Sequence, residues 1–166
     1  MTNCTPRSTL SQIVVAWLGA FAGIGLLAYV VELLPQLHLL VIGSFGASAV
    51  LMFAAPAVPF GQPRNLIGGH FISALVGVAC FNYLPDISVL QETSAVATAI
   101  ALMMLTRTTH PPGGATALIA VIGSEQIHAM GWYYVVPVFT GTIILLLVAL
   151  LSNNFYRRGS YPTHWL

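Results

Sequence analysis

The scarcity of charged residues constrains this chain more than any other feature of its sequence. Only 5% of its 166 residues are charged, five of them basic and four acidic, whereas 57% are hydrophobic. A typical soluble domain is roughly 25% charged, so a soluble fold would lack the polar surface that water requires. The sequence therefore predicts an integral membrane protein surrounded by the lipid bilayer. The net charge of +1 and the absence of lysine exclude nucleic-acid binding, which needs clustered basic residues.

Apolar segments divide the chain into candidate membrane spans. An isolated span needs about 20 apolar residues, or fewer where the helix is broken or buried in a bundle. The first, third and sixth segments are long enough to cross alone, whereas the fourth and fifth are short and could be half-spans or a re-entrant hairpin. We predict an all-α membrane protein, a single domain over residues 1–166, with about six transmembrane segments, some of them short or broken. The segments are Leu10–Leu34, His38–Ala55, Leu66–Leu84, Thr93–Leu105, Pro112–Ile122 and Trp132–Leu151.

The distribution of charge along these segments predicts how the chain is oriented. With six crossings, every arginine falls on one side of the membrane and every acidic residue on the other. Arginine-rich loops stay on the cytoplasmic side, so both termini are expected to be cytoplasmic. The N-terminal residues lack the pattern of a signal or transit peptide, which favours a bacterial plasma (inner) membrane. The arginines are Arg7, Arg64, Arg107, Arg157 and Arg158, and the acidic residues are Glu32, Asp86, Glu92 and Glu125.

Two short stretches of the chain resemble each other. GASAVL begins at Gly46, and GATALI begins at Gly114, 68 residues later. This offset pairs residues 24–84 with residues 92–152 as pseudo-repeats. Three crossings in each half would make the halves inverted relative to each other. Inverted repeats are used by many transporters, whose substrate sites lie at the interface between the repeats.

The most unusual segment is RTTHPPGGATALIAVIG, which begins at Arg107 and ends at Gly123. Proline and glycine disfavour the interior of a helix, but proline suits its first turn, so a helix is predicted to begin near Pro111. The first N–H groups of a helix lack partners within the helix, and together with the helix dipole they favour an anion. Arg107 and His110 would add positive charge. The break therefore predicts an anion site formed by backbone donors.

Three long strings give the chain a specific resemblance. They are GSFGASAVLMFAAP at residues 43–56, FGQPRNLIGGH at residues 60–70 and THPPGGATALIAV at residues 109–121. On these strings the chain resembles the HPP family of small integral membrane proteins, named after the His-Pro-Pro found here at residues 110–112. The resemblance implies nitrite transport, as in cyanobacteria and plastid envelopes, with nitrite as the small inorganic anion that the protein binds.

The candidate substrate-binding residues surround the two glycine-rich breaks. His110 could contact the anion or carry a proton, and hydroxyls at the equivalent repeat positions could donate to the anion. The glycines would leave room for an ion, and two arginines could draw anions to the cytoplasmic mouth. No catalytic residue, cofactor or metal site is predicted, and the oligomeric state, including a homo-oligomer, is left open. The candidates are His110, Pro111, Pro112, Gly113, Gly114, Thr116, Gly46, Ser48, Arg107 and Arg64.

Two other functions compete with transport. The chain could be an intramembrane hydrolase in which Ser48 is the nucleophile and His70 or His110 is its base. The pairing of Ser48 with Thr116 in the repeat argues against this, because it suggests a symmetric structural role for the two hydroxyls. The chain could also be a membrane scaffold or subunit that transports nothing.

Overall fold

The structure, a computed structural model, describes residues 7–34, 42–157 and 161–165, and within these ranges all regular elements are helical. Several positions considered in the sequence, among them His38 and Arg158, lie outside the described residues. The α-helices are α1 (Leu10–Leu33), α2 (Gly43–Ala49), α3 (Pro63–Tyr83), α4 (Ser88–Leu105), α5 (Pro111–Ile122), α6 (Glu125–Met130) and α7 (Val135–Arg157). A π-helical turn at Val50–Ala54 continues α2, and 3-10 turns lie at Pro59–Gly61 and Gly131–Tyr134.

This architecture confirms the predicted all-α membrane fold. Among the described residues, α1, α3, α4 and the segment Glu125–Phe155 are long and apolar enough to cross a membrane. The apolar helices Gly43–Ala54 and Pro111–Ile122 are shorter. At 1.5 Å per residue each of these spans about 18 Å of a hydrocarbon core that is about 30 Å thick. The second and fifth segments are therefore the short helices of the bundle.

The prediction that the fourth segment is short was wrong. It was expected to begin at Thr93, but α4 begins at Ser88 and reaches 18 residues. The helix extends through Gln91 and Glu92, whose polarity marked a loop in the sequence. Gln91 is buried because its Nε2 atom donates to the carbonyls that end α3, at 3.2 Å to Phe81 and 3.3 Å to Leu84. A side chain that bonds the preceding helix can lie inside a bundle despite its polarity.

The outer surface of the bundle is apolar, as a lipid environment requires. On α1, Trp17 is 61% exposed and Phe21 is 66% exposed, and their rings stack with centroids 5.1 Å apart. The opposite face of α1 carries Gly19 and Gly23, which pack around the ring of Phe53. An exposed apolar surface of this extent would be covered by a partner or by lipid, and the apolar composition of the helix favours lipid.

Small residues on α3 allow α5 to approach it closely. Gly69, Ser73 and Gly77 lie four residues apart and are buried. A Cβ atom on Gly77 would lie 2.5 Å from the carbonyl oxygen of Ala117 on α5. In membranes such small-residue faces stabilise helix pairs through backbone contact. The pairing of α3 with α5 brings the first half of the chain against the Pro-Pro-Gly-Gly segment.

The described arginines near α3 and the acidic loops lie at opposite ends of that helix. Arg64 Nη2 donates to the carbonyl of Thr106, 3.0 Å away, so Arg64 and Arg107 share one end. At the other end the ring of His128 on α6 stacks on Phe81 with centroids 3.9 Å apart. The acidic residues of the neighbouring loops, Asp86 and Glu125, are therefore at this second end. These four residues have the predicted separation of charges; which end faces the cytoplasm is a prediction.

Cysteine labelling tests that orientation. In a background without Cys4 and Cys80, single cysteines at Asp86 and Ser124 should react with an impermeant maleimide added to intact cells, because their loops are expected to face outward. A cysteine at Arg64 should react only after the membrane is opened. Labelling of the Arg64 position in intact cells, together with protection of the other two, would show that the topology is reversed.

Candidate functional site

A cluster of polar side chains is buried where α2, α3 and α5 meet. Ser48, His70, His110 and Thr116 are each 0% exposed, and Ser44 is 1% exposed. These five residues are called the polar cluster below. Polar groups buried this deeply are retained only when they bond to one another or serve a function, so the cluster is the candidate functional site.

The short helices supply most of the cluster. Ser44 and Ser48 lie one turn apart on α2 and therefore share one face of the helix. Thr116 lies on α5, and His110 is the N-cap residue of that helix. The helix begins at Pro111, as the sequence predicted, because prolines at its first two positions match the backbone angles of a first helical turn.

The end of α4 turns the chain so that His110 reaches the cluster. Thr108 N–H donates to the carbonyl of Met103 at 2.8 Å, and Arg107 adopts a left-handed conformation with φ of 58°. This pattern is a helix-ending turn that usually places glycine at the left-handed position, and arginine takes that position here. Asn65 on α3 then donates from Nδ2 to the carbonyl of Thr109 at 2.8 Å. The turn and this bond hold the segment against α3, immediately before His110.

Ser48 lies between the two imidazoles. Its Oγ atom is 2.8 Å from Nε2 of His70 and 2.8 Å from Nε2 of His110. It also lies 3.1 Å from the carbonyl oxygen of Ser44, one turn back on the same helix. The other nitrogen of His110, Nδ1, is 2.7 Å from the carbonyl oxygen of Phe60. The hydroxyl therefore links a helix of the first half to the His-Pro-Pro segment of the second.

Thr116 contacts the opposite edge of His70. Its Oγ1 atom is 2.8 Å from Nδ1 of His70, and its hydroxyl donates to Oγ of Ser44 at 2.9 Å. Ser48 and Thr116, which the repeat makes equivalent, thus flank the imidazole of His70. The helices that carry them begin at Gly43 and Pro111, which are separated by the same 68 residues as the sequence repeat. The inverted relation of the two halves remains a prediction.

The structure does not provide the backbone donors that the sequence predicted at the start of α5. Pro111 and Pro112 have no N–H groups, and the N–H of Gly113 donates to the carbonyl of His110 at 2.8 Å. The first turn of the helix therefore has no N–H group free to bind an anion, because two are absent and the third is already bonded. Anion binding by the N–H groups of this first turn was a wrong expectation, and the polar groups at the site are side chains instead.

The remaining predicted residues lie outside the cluster. Gly46 is on the exposed face of α2, and a Cβ atom there would meet nothing within 4 Å. Gly114 faces α4, where a Cβ atom would lie 3.9 Å from Val96. The two arginines lie at the end of the bundle, with Arg107 exposed and Arg64 bonded to a backbone carbonyl. A role for these arginines at an entrance is compatible with their position, but they do not contact the cluster.

Sequence reasoning missed the central member of the site. His70 was not among the candidate substrate-binding residues and was named as a base in the hydrolase alternative, although it bonds both Ser48 and Thr116. The signal was available, since His70 is an ionisable residue inside an apolar span. Ser44 was missed as well, and its spacing of four residues from Ser48 would have placed both hydroxyls on one helix face. The bond between His110 and the Phe60 carbonyl could not have been predicted from the sequence. Phe60 lies in the 3-10 turn Pro59–Gly61, 50 residues before His110, and only the fold brings the two together.

The cluster does not form a recognisable metal site. Zinc in proteins usually has three or four protein ligands, and the polar cluster offers two imidazoles. In the part of the chain that the structure describes, no group of three or more His, Cys, Asp or Glu side chains could hold a metal ion.

Fold and site define the class of this chain: a multi-pass helical membrane protein with a buried cluster of histidine and hydroxyl side chains. It belongs to the HPP family, because the model of the HPP transmembrane region matches residues 5–162. Two proteins of Dictyostelium discoideum described as transmembrane proteins are 46% and 45% identical to it over 96% of this chain. The chain spans 58% and 53% of the length of these curated relatives. No solved structure matches it significantly.

Proposed function

We propose that this protein transports a small monovalent anion, nitrite, through the polar cluster. The observation that carries the proposal is the position of Ser48 Oγ, 2.8 Å from an Nε2 atom on each of two histidines. Nitrite is the substrate that the HPP resemblance implies. Its two oxygens could each accept a hydrogen bond from one imidazole.

The chemistry of the cluster favours an anion over a cation. Its side chains are hydroxyls and imidazoles, which can all donate hydrogen bonds. No hydrogen bond of the described residues joins a carboxylate to the cluster, whereas cation paths and proton relays in membranes commonly use buried acidic residues. A weakly hydrated monovalent anion loses less on entering such a site than a divalent one would.

The conformation described here is closed around the cluster. Every cluster residue is buried, and no buried side-chain nitrogen or oxygen of the described residues lacks a hydrogen-bond partner. Ser48 Oγ occupies the place between the imidazoles where an anion oxygen would bind. The π-helical turn Val50–Ala54 begins two residues after Ser48, and such turns often occur at functional sites. In this proposal a shift of α2 at that turn withdraws the hydroxyl and admits the anion.

Nitrite uptake into proteoliposomes tests the proposed function. Vesicles containing the purified protein should take up nitrite with saturable kinetics, and excess nitrate or formate in parallel reactions would define the selectivity. Protein-free vesicles give the background passage of nitrous acid. Uptake at the background rate, with a membrane complex co-purifying instead, would favour a scaffold or subunit and contradict transport.

Hydrolysis is a second candidate because the same geometry places a serine against a histidine base. Ser48 Oγ lies 2.8 Å from His110 Nε2, and the Nδ1 atom of that histidine is held by the Phe60 carbonyl at 2.7 Å. A nucleophile, a base and a group that orients the base are the parts of a serine hydrolase site. Against this candidate, Ser48 is fully buried, and the start of α5 offers no N–H pair for an oxyanion.

A fluorophosphonate probe distinguishes the two candidates. The transport proposal predicts no covalent labelling of the folded protein in detergent or in vesicles. Labelling at Ser48 that disappears in Ser48→Ala and in His110→Ala, but persists in His128→Ala, would establish a hydrolase. Ser48→Ala provides the control for reaction at other hydroxyls.

A further inference from the structure

One hydrogen bond at the edge of the polar cluster determines which nitrogen of His110 carries a proton. The carbonyl of Phe60 can only accept, so neutral His110 carries its proton on Nδ1. Its Nε2 atom is then an acceptor, and Ser48 Oγ lies 2.8 Å from it.

Neutral His110 therefore offers an anion no donor. Its unprotonated Nε2 points to Ser48, whose hydroxyl can supply a hydrogen to it at 2.8 Å. An anion oxygen in the place of Ser48 Oγ carries no hydrogen, so it would face the lone pair of Nε2. A buried acceptor without a donor is costly. One proton on Nε2 removes this cost, because the lone pair becomes an N–H donor.

We propose, resting on the proposed function, that the cluster binds one proton together with the anion, so that the protein is a proton–anion symporter. The proton adds to Nε2 of His110. When the anion replaces Ser48 Oγ, the resulting N–H donates to the anion, and Nδ1 of the same ring keeps its bond to the Phe60 carbonyl. Release of both to the opposite side returns the neutral cluster.

The surroundings of the two histidines supply no alternative countercharge. From α2, Ser48 bonds both histidines and Phe45 packs edge-on against His70, and from α5 Thr116 bonds His70. The phenol of Tyr134, which precedes α7, donates to the backbone carbonyl of Thr116 at 3.2 Å, and on the α4 side Met103 accepts a hydrogen bond from Ser73. No hydrogen bond among the described residues brings a carboxylate or guanidinium to either imidazole.

The absence of a countercharge explains why proton and anion should bind together. A single buried cation or a single buried anion is penalised by several kcal/mol in a low-dielectric interior. An imidazolium beside nitrite is neutral as a pair, so each ligand offsets the penalty of the other. Occupancy by one should therefore increase the affinity for the other by the same factor.

A pH gradient across proteoliposomes tests the coupling. With the outside one pH unit more acidic, a one-to-one electroneutral symporter should accumulate nitrite about tenfold, since one pH unit equals about 1.4 kcal/mol. The initial rate should exceed that of protein-free vesicles, and a trapped pH dye should report one proton per nitrite. His110→Gln should lose the response to the gradient, whereas His128→Gln should keep it. Nitrite uptake that ignores the gradient and moves no proton would overturn the symport and leave anion transport intact.

A spectroscopic measurement tests the proton independently of transport. NMR of protein labelled with ¹⁵N-histidine, with the signals assigned by the His110→Gln variant, should show neutral His110 protonated on Nδ1 and a further proton taken up at its Nε2. Nitrite should raise the midpoint of that uptake toward higher pH. A neutral His110 protonated on Nε2 would contradict the proposal whether or not nitrite flux is seen. A midpoint that saturating nitrite leaves unchanged, in protein that transports nitrite, would contradict it as well.

Discussion

Replacing His110 with alanine is expected to lower nitrite uptake by at least about tenfold. The change removes one of the two Nε2 atoms that flank Ser48, together with the bond to the Phe60 carbonyl. A hydrogen bond to a charged partner contributes about 1.5–3 kcal/mol, which corresponds to roughly 10- to 150-fold in affinity. Uptake into proteoliposomes at matched protein density measures the effect.

His128→Ala is the matched control for this variant. His128 also bonds a backbone carbonyl from another part of the chain, that of Val121 at 2.9 Å, but it lies at the acidic end of the bundle. Both variants should insert with unchanged helical content. Equal loss of uptake in both would show that the effect is general destabilisation. Normal uptake in His110→Ala would show that the anion does not depend on this imidazole.

The adjacent glycines at the start of α5 should differ sharply in their tolerance of a methyl group. A Cβ atom on Gly113 would lie 2.7 Å from Ser73 Oγ and 3.0 Å from the carbonyl oxygen of Gly69. The helix would have to move away from α3, which would draw Thr116 from the polar cluster. A Cβ atom on Gly114 would make only an ordinary contact, at 3.9 Å.

Gly113→Ala is therefore expected to be destabilised by about 1–3 kcal/mol, the usual effect of overpacking, and to lose most of its nitrite uptake. Gly114→Ala should retain wild-type stability and flux. Thermal unfolding in detergent and uptake in vesicles measure the two properties. A greater loss of stability and uptake in Gly114→Ala than in Gly113→Ala would contradict the close contact between α3 and α5.

The sequence predicted the fold well where one physical signal dominated. The shortage of charge established a membrane protein, and the prolines at residues 111 and 112 located the start of α5. The predicted start of α4 was wrong because the polar side chain of Gln91 bonds to carbonyls at the end of the preceding helix. A hydrogen bond of this kind between two helices leaves no recognisable pattern in the sequence.

The site was predicted in part, for a similar reason. The motif pointed to His110, and the repeat pointed to Ser48 and Thr116, all of which the structure brings together. The chemistry predicted for the site, anion binding by backbone N–H groups, was wrong. A helix that starts with two prolines lacks the N–H donors that a helix start normally exposes. His70 completes the cluster through bonds to both halves of the chain, and only the folded structure brings those partners together.

The central claim, that the anion binds between His70 and His110, is tested most directly by a distance measurement. Solid-state NMR of protein labelled with ¹³Cε1-histidine, reconstituted in lipid with ¹⁵N-nitrite, reports dipolar couplings over a few ångströms. We expect dephasing of the His70 and His110 signals, assigned with the His70→Gln and His110→Gln variants, and loss of that dephasing with excess unlabelled nitrite. The His128 and His164 signals should be unaffected. Saturating nitrite that dephases neither His70 nor His110 would contradict the account.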